Sequence, residues 1–91
     1  VISVKQVFQS YGGDPDTAVF NAVKVLAQEK GLTVNTHESS EPEYDSGDGN
    51  ILYFSTVEVL SGKVYLLSGA VERQKDKYLA TISDFEVIQA C

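Results

Sequence analysis

The sequence predicts an α+β fold: one long helix packed on a curled antiparallel sheet of four to five strands, in the order β-α-β-β-β-β. Two observations carry this. A single stretch bears helical periodicity with a stop signal at each end, and the C-terminal half holds three β-rich segments separated by very short turns. A third observation sets the scale. Ninety-one residues, 43% of them hydrophobic and 22% charged, suffice for one domain, 1–91, around one core.

The first element is a strand over Ile2–Phe8, which places Ile2, Val4, Gln6 and Phe8 on one side; a short helix fits the same residues. Gly12-Gly13 then breaks the chain. A helix follows over Pro15–Lys30. Asp14 is suited to cap it, Pro15 fits the first helical position, and Gly31 supplies the left-handed stop. Asp16 and Lys30 oppose the two poles of the helix dipole. Ala18, Val19, Phe20, Ala22, Val23, Val25, Leu26 and Ala27 cover more than half the circumference. Only Thr17, Asn21, Lys24 and Gln28 form a polar face. A helix this apolar is expected to be covered on more than one side, by a curled sheet or by a second copy.

Leu32–Glu38 reads as a strand and Ser39–Asn50 as a polar loop. Strands are then predicted over Ile51–Leu60, Lys63–Glu72 and Lys77–Val87, rich in Val, Ile, Tyr and Phe. Ser61-Gly62 fits a two-residue hairpin turn, and Gln74-Lys75-Asp76 a tight polar one. Connections this short make consecutive strands antiparallel neighbours, a meander.

The net charge of −6 is unevenly spread. Residues 1–30 hold three bases and three acids, and residues 63–91 hold four of each. Residues 31–62 carry Glu38, Glu41, Glu43, Asp45, Asp48 and Glu58 with no Lys or Arg. Phosphate backbones are bound by Lys and Arg, so direct nucleic-acid binding is not expected, whereas a basic protein partner is permitted. The longest apolar run, Ile51–Phe54, is too short to span a bilayer. Cys91 is the single cysteine, so an intrachain disulfide is ruled out and a reducing, cytoplasmic compartment is mildly favoured; a thiol at that position also suits an interchain disulfide. A chain that begins at Val1 rather than Met is expected to have been processed, by Met removal or by leader cleavage, which keeps a secreted origin open.

Catalytic constellations are not evident. His37 is the only histidine and has no activated nucleophile in a plausible place. Asp45 and Asp48, with Gly47 between them, break the alternating oxygen pattern of a calcium loop, so neither a metal nor another cofactor is expected. Glu41 and Glu43 lie on a predicted loop without an aromatic platform, unlike a glycosidase pair. The expectation is therefore a binding protein and not an enzyme.

Gly12-Gly13 before a long helix, and Glu58-Val-Leu-Ser-Gly62 leading into Lys63-Val-Tyr65, together resemble the cystatin family. There, a glycine-containing N-terminal segment and two hairpin loops enter the cleft of papain-like proteases. The resemblance implies an inhibitory edge made of Gly12, Gly13, Ser61, Gly62 and a second hairpin at Gln74 and Lys75. Glu58 stands where the family has Gln, the Pro-Trp of the second hairpin is absent, and Leu32–Asn50 is additional. The plainer reading of Ser61-Gly62 is a turn that any hairpin requires. Three roles are thus expected of the chain: a protease-inhibitor-like module; an acidic immunity or decoy protein that meets a basic toxin or nuclease through Glu41, Glu43, Asp45 and Asp48; or an oligomeric subunit, such as a homodimer.

Overall fold

The computed structural model describes residues 7–34, 42–47 and 49–90. It contains β1 (Phe8–Gly12), α1 (Pro15–Lys30), β2 (Glu43–Ser46), β3 (Ile51–Leu60), β4 (Lys63–Arg73) and β5 (Tyr78–Ala90). The strands form one open antiparallel sheet in the order β1-β5-β4-β3-β2, with α1 on one face. This is the expected α+β class, with five strands.

The helix matches its predicted limits because its caps close as the sequence requires. Asp14 has extended backbone angles, and its carboxylate accepts from the Thr17 N–H at 2.8 Å. At the other end Gly31 is left-handed. Leu32 N–H donates to the Ala27 carbonyl at 2.8 Å and Gly31 N–H to that of Gln28 at 3.3 Å, the paired bonds of a Schellman motif.

The buried side of α1 is one stripe: Ala18, Val19, Ala22, Val23, Leu26 and Ala27. These residues meet Phe8, Leu67, Val71, Ala80 and Ile82 from the sheet in a single core. Phe20 is half-buried beneath the Lys24 ammonium, 4.5 Å from its ring centroid, and Val25 packs at the core margin. The apolar width that suggested cover on several sides is thus partly met by the helix's own lysine stem.

Two elements differ from the prediction within the described residues. The described part of the first strand is Phe8–Gly12, which pairs with Ile82–Tyr78; Ile2–Gln6 lie outside the described residues. Its polar sequence concealed it. Phe8 and Ser10 face the helix side, while Gln9 donates to the Thr81 hydroxyl at 3.0 Å on the opposite face. Gly12 ends this strand and does not sit in a free break: a Cβ there would come within 2.4 Å of the Ala18 backbone nitrogen, so only glycine lets β1 abut the first helical turn.

The second difference is β2, formed inside the predicted loop. Tyr44 lies opposite Phe54 and packs against the core, and its hydroxyl donates to Asp16 Oδ1 at 2.5 Å. The predicted strand Leu32–Glu38 is reduced, among described residues, to one bridge between Val34 and Leu60. Residues 35–41, and with them His37, Glu38 and Glu41, lie outside the described residues, as do Asp48 and Cys91.

Candidate partner-binding surface

Side chains on a strand alternate between faces, so the pairing register assigns each residue of the sheet to one side. Phe54, Leu67 and Ile82 belong to the helix side, and all three are buried. The opposite face presents Tyr53, Ser55, Val57 and Val59 from β3, Val64, Leu66, Ser68 and Ala70 from β4, and Thr81, Asp84 and Glu86 from β5. Tyr11 joins it from β1, with the Lys77 ammonium 4.3 Å above its ring. No described element lies across this face, and Tyr53 and Tyr11 are 53% and 48% exposed.

The face is not flat. Register shifts occur in the β4–β5 ladder between Val64 and Tyr65 and between Ser68 and Gly69. At the second, Gly69 opposes Ile82 and Ser68 opposes Asp84, which leaves Ser83 as the extra residue of a bulge. A Cβ on Gly69 would lie 1.8 Å from the Thr81 carbonyl oxygen, so the two backbones meet only over a glycine. Beside it lies an open depression of about 420 Å³ lined by Tyr53, Ser68, Ala70, Thr81, Ser83 and Asp84. A neighbour of about 250 Å³, lined by Leu66, Ser68, Asp84, Phe85 and Glu86, continues it along β4 and β5.

The residues expected to make one inhibitory edge are divided between the two ends of the sheet. Gly12 pairs with Tyr78, so Gly12 and Gly13 stand at the same end as the turn holding Gln74 and Lys75. Ser61-Gly62 joins β3 to β4, and β4 then runs its full length before reaching Gln74. Successive turns of a meander fall at opposite ends, here separated by roughly 30 Å at the usual strand rise. The expectation of a single edge is therefore corrected. Nor is the Ser61-Gly62 turn loose: both residues have positive φ, 51° and 80°. Ser61 is bonded to Thr33 twice, through N–H to carbonyl at 2.9 Å and through its hydroxyl, which accepts from Thr33 N–H at 2.8 Å.

Glu58, placed by the resemblance beside the wedge, is 3% exposed on the helix side of β3, opposite Tyr65. The Thr56 hydroxyl reaches its carboxylate at 3.5 Å. The acid therefore adds nothing to the surface charge of the middle segment.

Two members of the expected acidic loop, Glu43 and Asp45, are fixed on the edge strand β2. They are exposed and lie opposite Ser55 and Tyr53, so both belong to the face away from the helix. Asp84 and Glu86 approach the same face from β5. The evenly balanced composition of residues 63–91 hid this, because Arg73, Lys75 and Lys77 gather with Glu72 and Asp76 at the β4–β5 turn, while Asp84 and Glu86 stand on the sheet. A third depression, about 240 Å³ between Pro15, Asn50, Arg73 and Tyr78, opens at that end of the sheet.

Among the described residues, no three of His, Cys, Asp and Glu converge as a metal-binding group, and no helix is long and apolar enough to cross a membrane. Comparison with protein-family models, with curated proteins and with solved structures finds no match.

The sequence signal for this face was the run Val64-Tyr65-Leu66-Leu67. A strand apolar on both sides is the pattern of a strand covered on both sides. Here α1 serves one side only.

Proposed function

We propose that this chain is a non-catalytic protein-binding module that receives its partner on the sheet face opposite α1. The supporting observation is the mismatch on β4. Val64 and Leu66 point to a face that no described element covers, while Tyr65 and Leu67, between and beside them, are buried in the core. With Val57 and Val59 they make an apolar patch of two cross-strand pairs, set apart from Tyr53 and Ala70 by the Ser55–Ser68 pair, and apolar patches rimmed by polar groups are the usual mark of an interaction surface.

A photo-crosslinking residue at position 66, compared with one at Gln28 on the exposed side of α1, tests the reading in the producing cell. The expected result is a discrete adduct with another protein from position 66 and none from position 28. Adducts only with the chain itself would recast the face as a self-association surface, and equal labelling from both positions would remove the proposal.

An inhibitor-like role draws its support from the other surface, where Gly13 and the Gln74–Lys77 turn share one end. It predicts inhibition of a papain-type protease that Gly13→Arg abolishes and that substitutions on the sheet face leave intact.

A further inference from the structure

The helix side of the sheet has an opening of its own, at the end where β4 turns into β5. Leu52 and Val71 face each other there across β3 and β4, and Arg73 and Tyr78 form the last pair of the β4–β5 ladder. With Pro15 from the first turn of α1 and Gly49-Asn50 from the turn into β3, they line the depression of about 240 Å³. We infer that this depression binds a small monocarboxylate with a short apolar body, supplied either as a free acid or as the C-terminal residue of a polypeptide. The site is independent of the docking face proposed above, which lies across the sheet from it.

Alternate residues of a strand share a face, so Leu52, Val71 and Arg73 fall on the side of α1 with Tyr78 beside them. Leu52, Val71 and the Pro15 ring supply apolar walls, while Arg73, Tyr78 and Asn50 bring a guanidinium fork, a hydroxyl and a carboxamide. Apolar walls with a few convergent polar groups are the usual form of a small-ligand site. The volume lies below the roughly 300–1,000 Å³ that drug-sized ligands occupy, and suits a body the size of one side chain. Backbone bonds hold the polar groups in place. Arg73 N–H donates to the Asn50 carbonyl at 2.8 Å, and Gln74 N–H to that of Lys77 at 2.8 Å, closing the turn that returns Tyr78 beside Arg73.

Charge selects the ligand. No carboxylate among the described residues pairs with the Arg73 guanidinium, so its fork is open to a bidentate partner. The nearby acids are engaged elsewhere: Asp14 accepts from Thr17 N–H, Asp16 from the Tyr44 hydroxyl, and Glu72 from the Gln74 carboxamide. Lys77 lies over the Tyr11 ring, which leaves Arg73 as the one cation among the described lining residues. Asp14 and Asp16 keep the start of the helix negative, and Pro15 offers no N–H there, so a doubly charged phosphate is disfavoured. One guanidinium balances one carboxylate. A cationic ligand would meet Arg73 as a like charge.

The test titrates the whole chain, labelled for amide NMR, with isocaproate and with isocaproamide, which differ in the charge of the head group. The acid is expected to give saturable shifts at Asn50, Leu52, Val71, Arg73 and Tyr78, with a Kd on the order of a millimolar, the scale for so few atoms. The amide should bind at least about tenfold more weakly. Arg73→Gln should weaken the acid about tenfold, Arg73→Lys should also weaken it because the charge stays but the fork is lost, and Tyr78→Phe should cost about threefold. Arg73 is exposed, so its replacement should leave the rest of the amide spectrum unchanged. Lys75→Gln, which removes a charge from the same turn but outside the depression, should change binding by less than about twofold. A peptide ending in Gly-Leu, with its carboxylate free or amidated, separates the two sources. Binding of the free form at least as tightly as isocaproate assigns the site to a chain terminus, and its exclusion assigns the site to a free acid. Equal binding of acid and amide, equal losses from Lys75→Gln and Arg73→Gln, or shifts confined to the opposite face of the sheet would overturn the inference.

Discussion

The two faces of this sheet are made from the same strands and the same kinds of residue, yet they differ in what completes them. On the helix side, Phe54, Leu67, Val71, Ala80 and Ile82 reach an interior from which water is excluded. On the other side, Val57, Leu66 and Ala70 are only half-buried, and the aromatic ring of Tyr53 lies open. Composition does not distinguish the two. The distinction comes from α1, which lies over β1 and β5 and commits one face to folding. The other is left with the same hydrophobic chemistry and a carboxylate rim. Burial on the first face holds the domain together, while the second keeps apolar surface that no described element covers.

The sharpest way to break this comparison is to truncate neighbours that point opposite ways. Leu67→Ala should cost about 3 kcal/mol in urea unfolding, since a fully buried leucine leaves a cavity. Leu66→Ala should cost less than about 1 kcal/mol, because its side chain is only half-buried, and should instead reduce the adduct formed from a photo-crosslinking residue placed at position 59 on the same face. Equal losses of stability would mean that both faces serve the fold.

Next in size is Gly69→Ala. The added methyl would collide with the Thr81 carbonyl, and relieving it means undoing the register shift, for about 2 kcal/mol by urea unfolding. The amides of Thr81–Glu86 should shift with it, since the groove is shaped by that bulge.

A smaller effect is expected from Tyr44→Phe, which removes the hydroxyl joining β2 to Asp16. With the pair largely exposed, about 0.5 kcal/mol is expected, read as faster hydrogen exchange in β2 and little change in β5. Burial, and then the bond to Asp16, raise the Tyr44 pKa above its ordinary value of 10.0. The folded chain therefore keeps that proton where the unfolded chain releases it. Stability from this group is complete below pH 10 and declines as the pH rises beyond it. In Tyr44→Phe that alkaline decline should flatten.

Smallest is the cap. The Thr17 backbone N–H, which donates to the Asp14 carboxylate, holds the Asp14 pKa below its ordinary value of 3.8. The capping contribution is thus fully present above that pH and is lost as the pH falls through the folded-state value. Melting temperature measured against pH should show a shallower acid limb in Asp14→Asn than in the parent, with a lower plateau in Asp14→Ala.

Much of the fold was legible because local chemistry and tertiary structure agree. Asp14, Pro15 and Gly31 bound α1, and Ser61-Gly62 could join two strands in only one compact way. β1 and β2 were obscured because they are edge strands. Their sequences, Phe-Gln-Ser-Tyr-Gly and Glu-Tyr-Asp-Ser, bury few side chains, and what holds them is pairing with distant partners such as Thr81 and Phe54. The candidate site was less legible still. Glu43 and Asp45 drew notice as a charge run, but Asp84 and Glu86 were masked by nearby lysines, and only the register brings the four to one face. The expected edge of glycines and turns failed for a topological reason: a meander alternates its turns, and β4 separates Ser61 from Gln74.

Gly69 also constrains how this chain can diverge. Surface acids are readily exchanged and core aliphatics replace one another, but at this position any side chain strikes backbone. A sequence that keeps the bulge must keep a glycine there, opposite the strand whose extra residue, Ser83, follows about fourteen positions later. Gly12 imposes the same condition where β1 abuts the helix. Two glycines, one before the helix and one in the second strand of the main hairpin, make a sparse fingerprint by which distant relatives can be sought when all other similarity has faded.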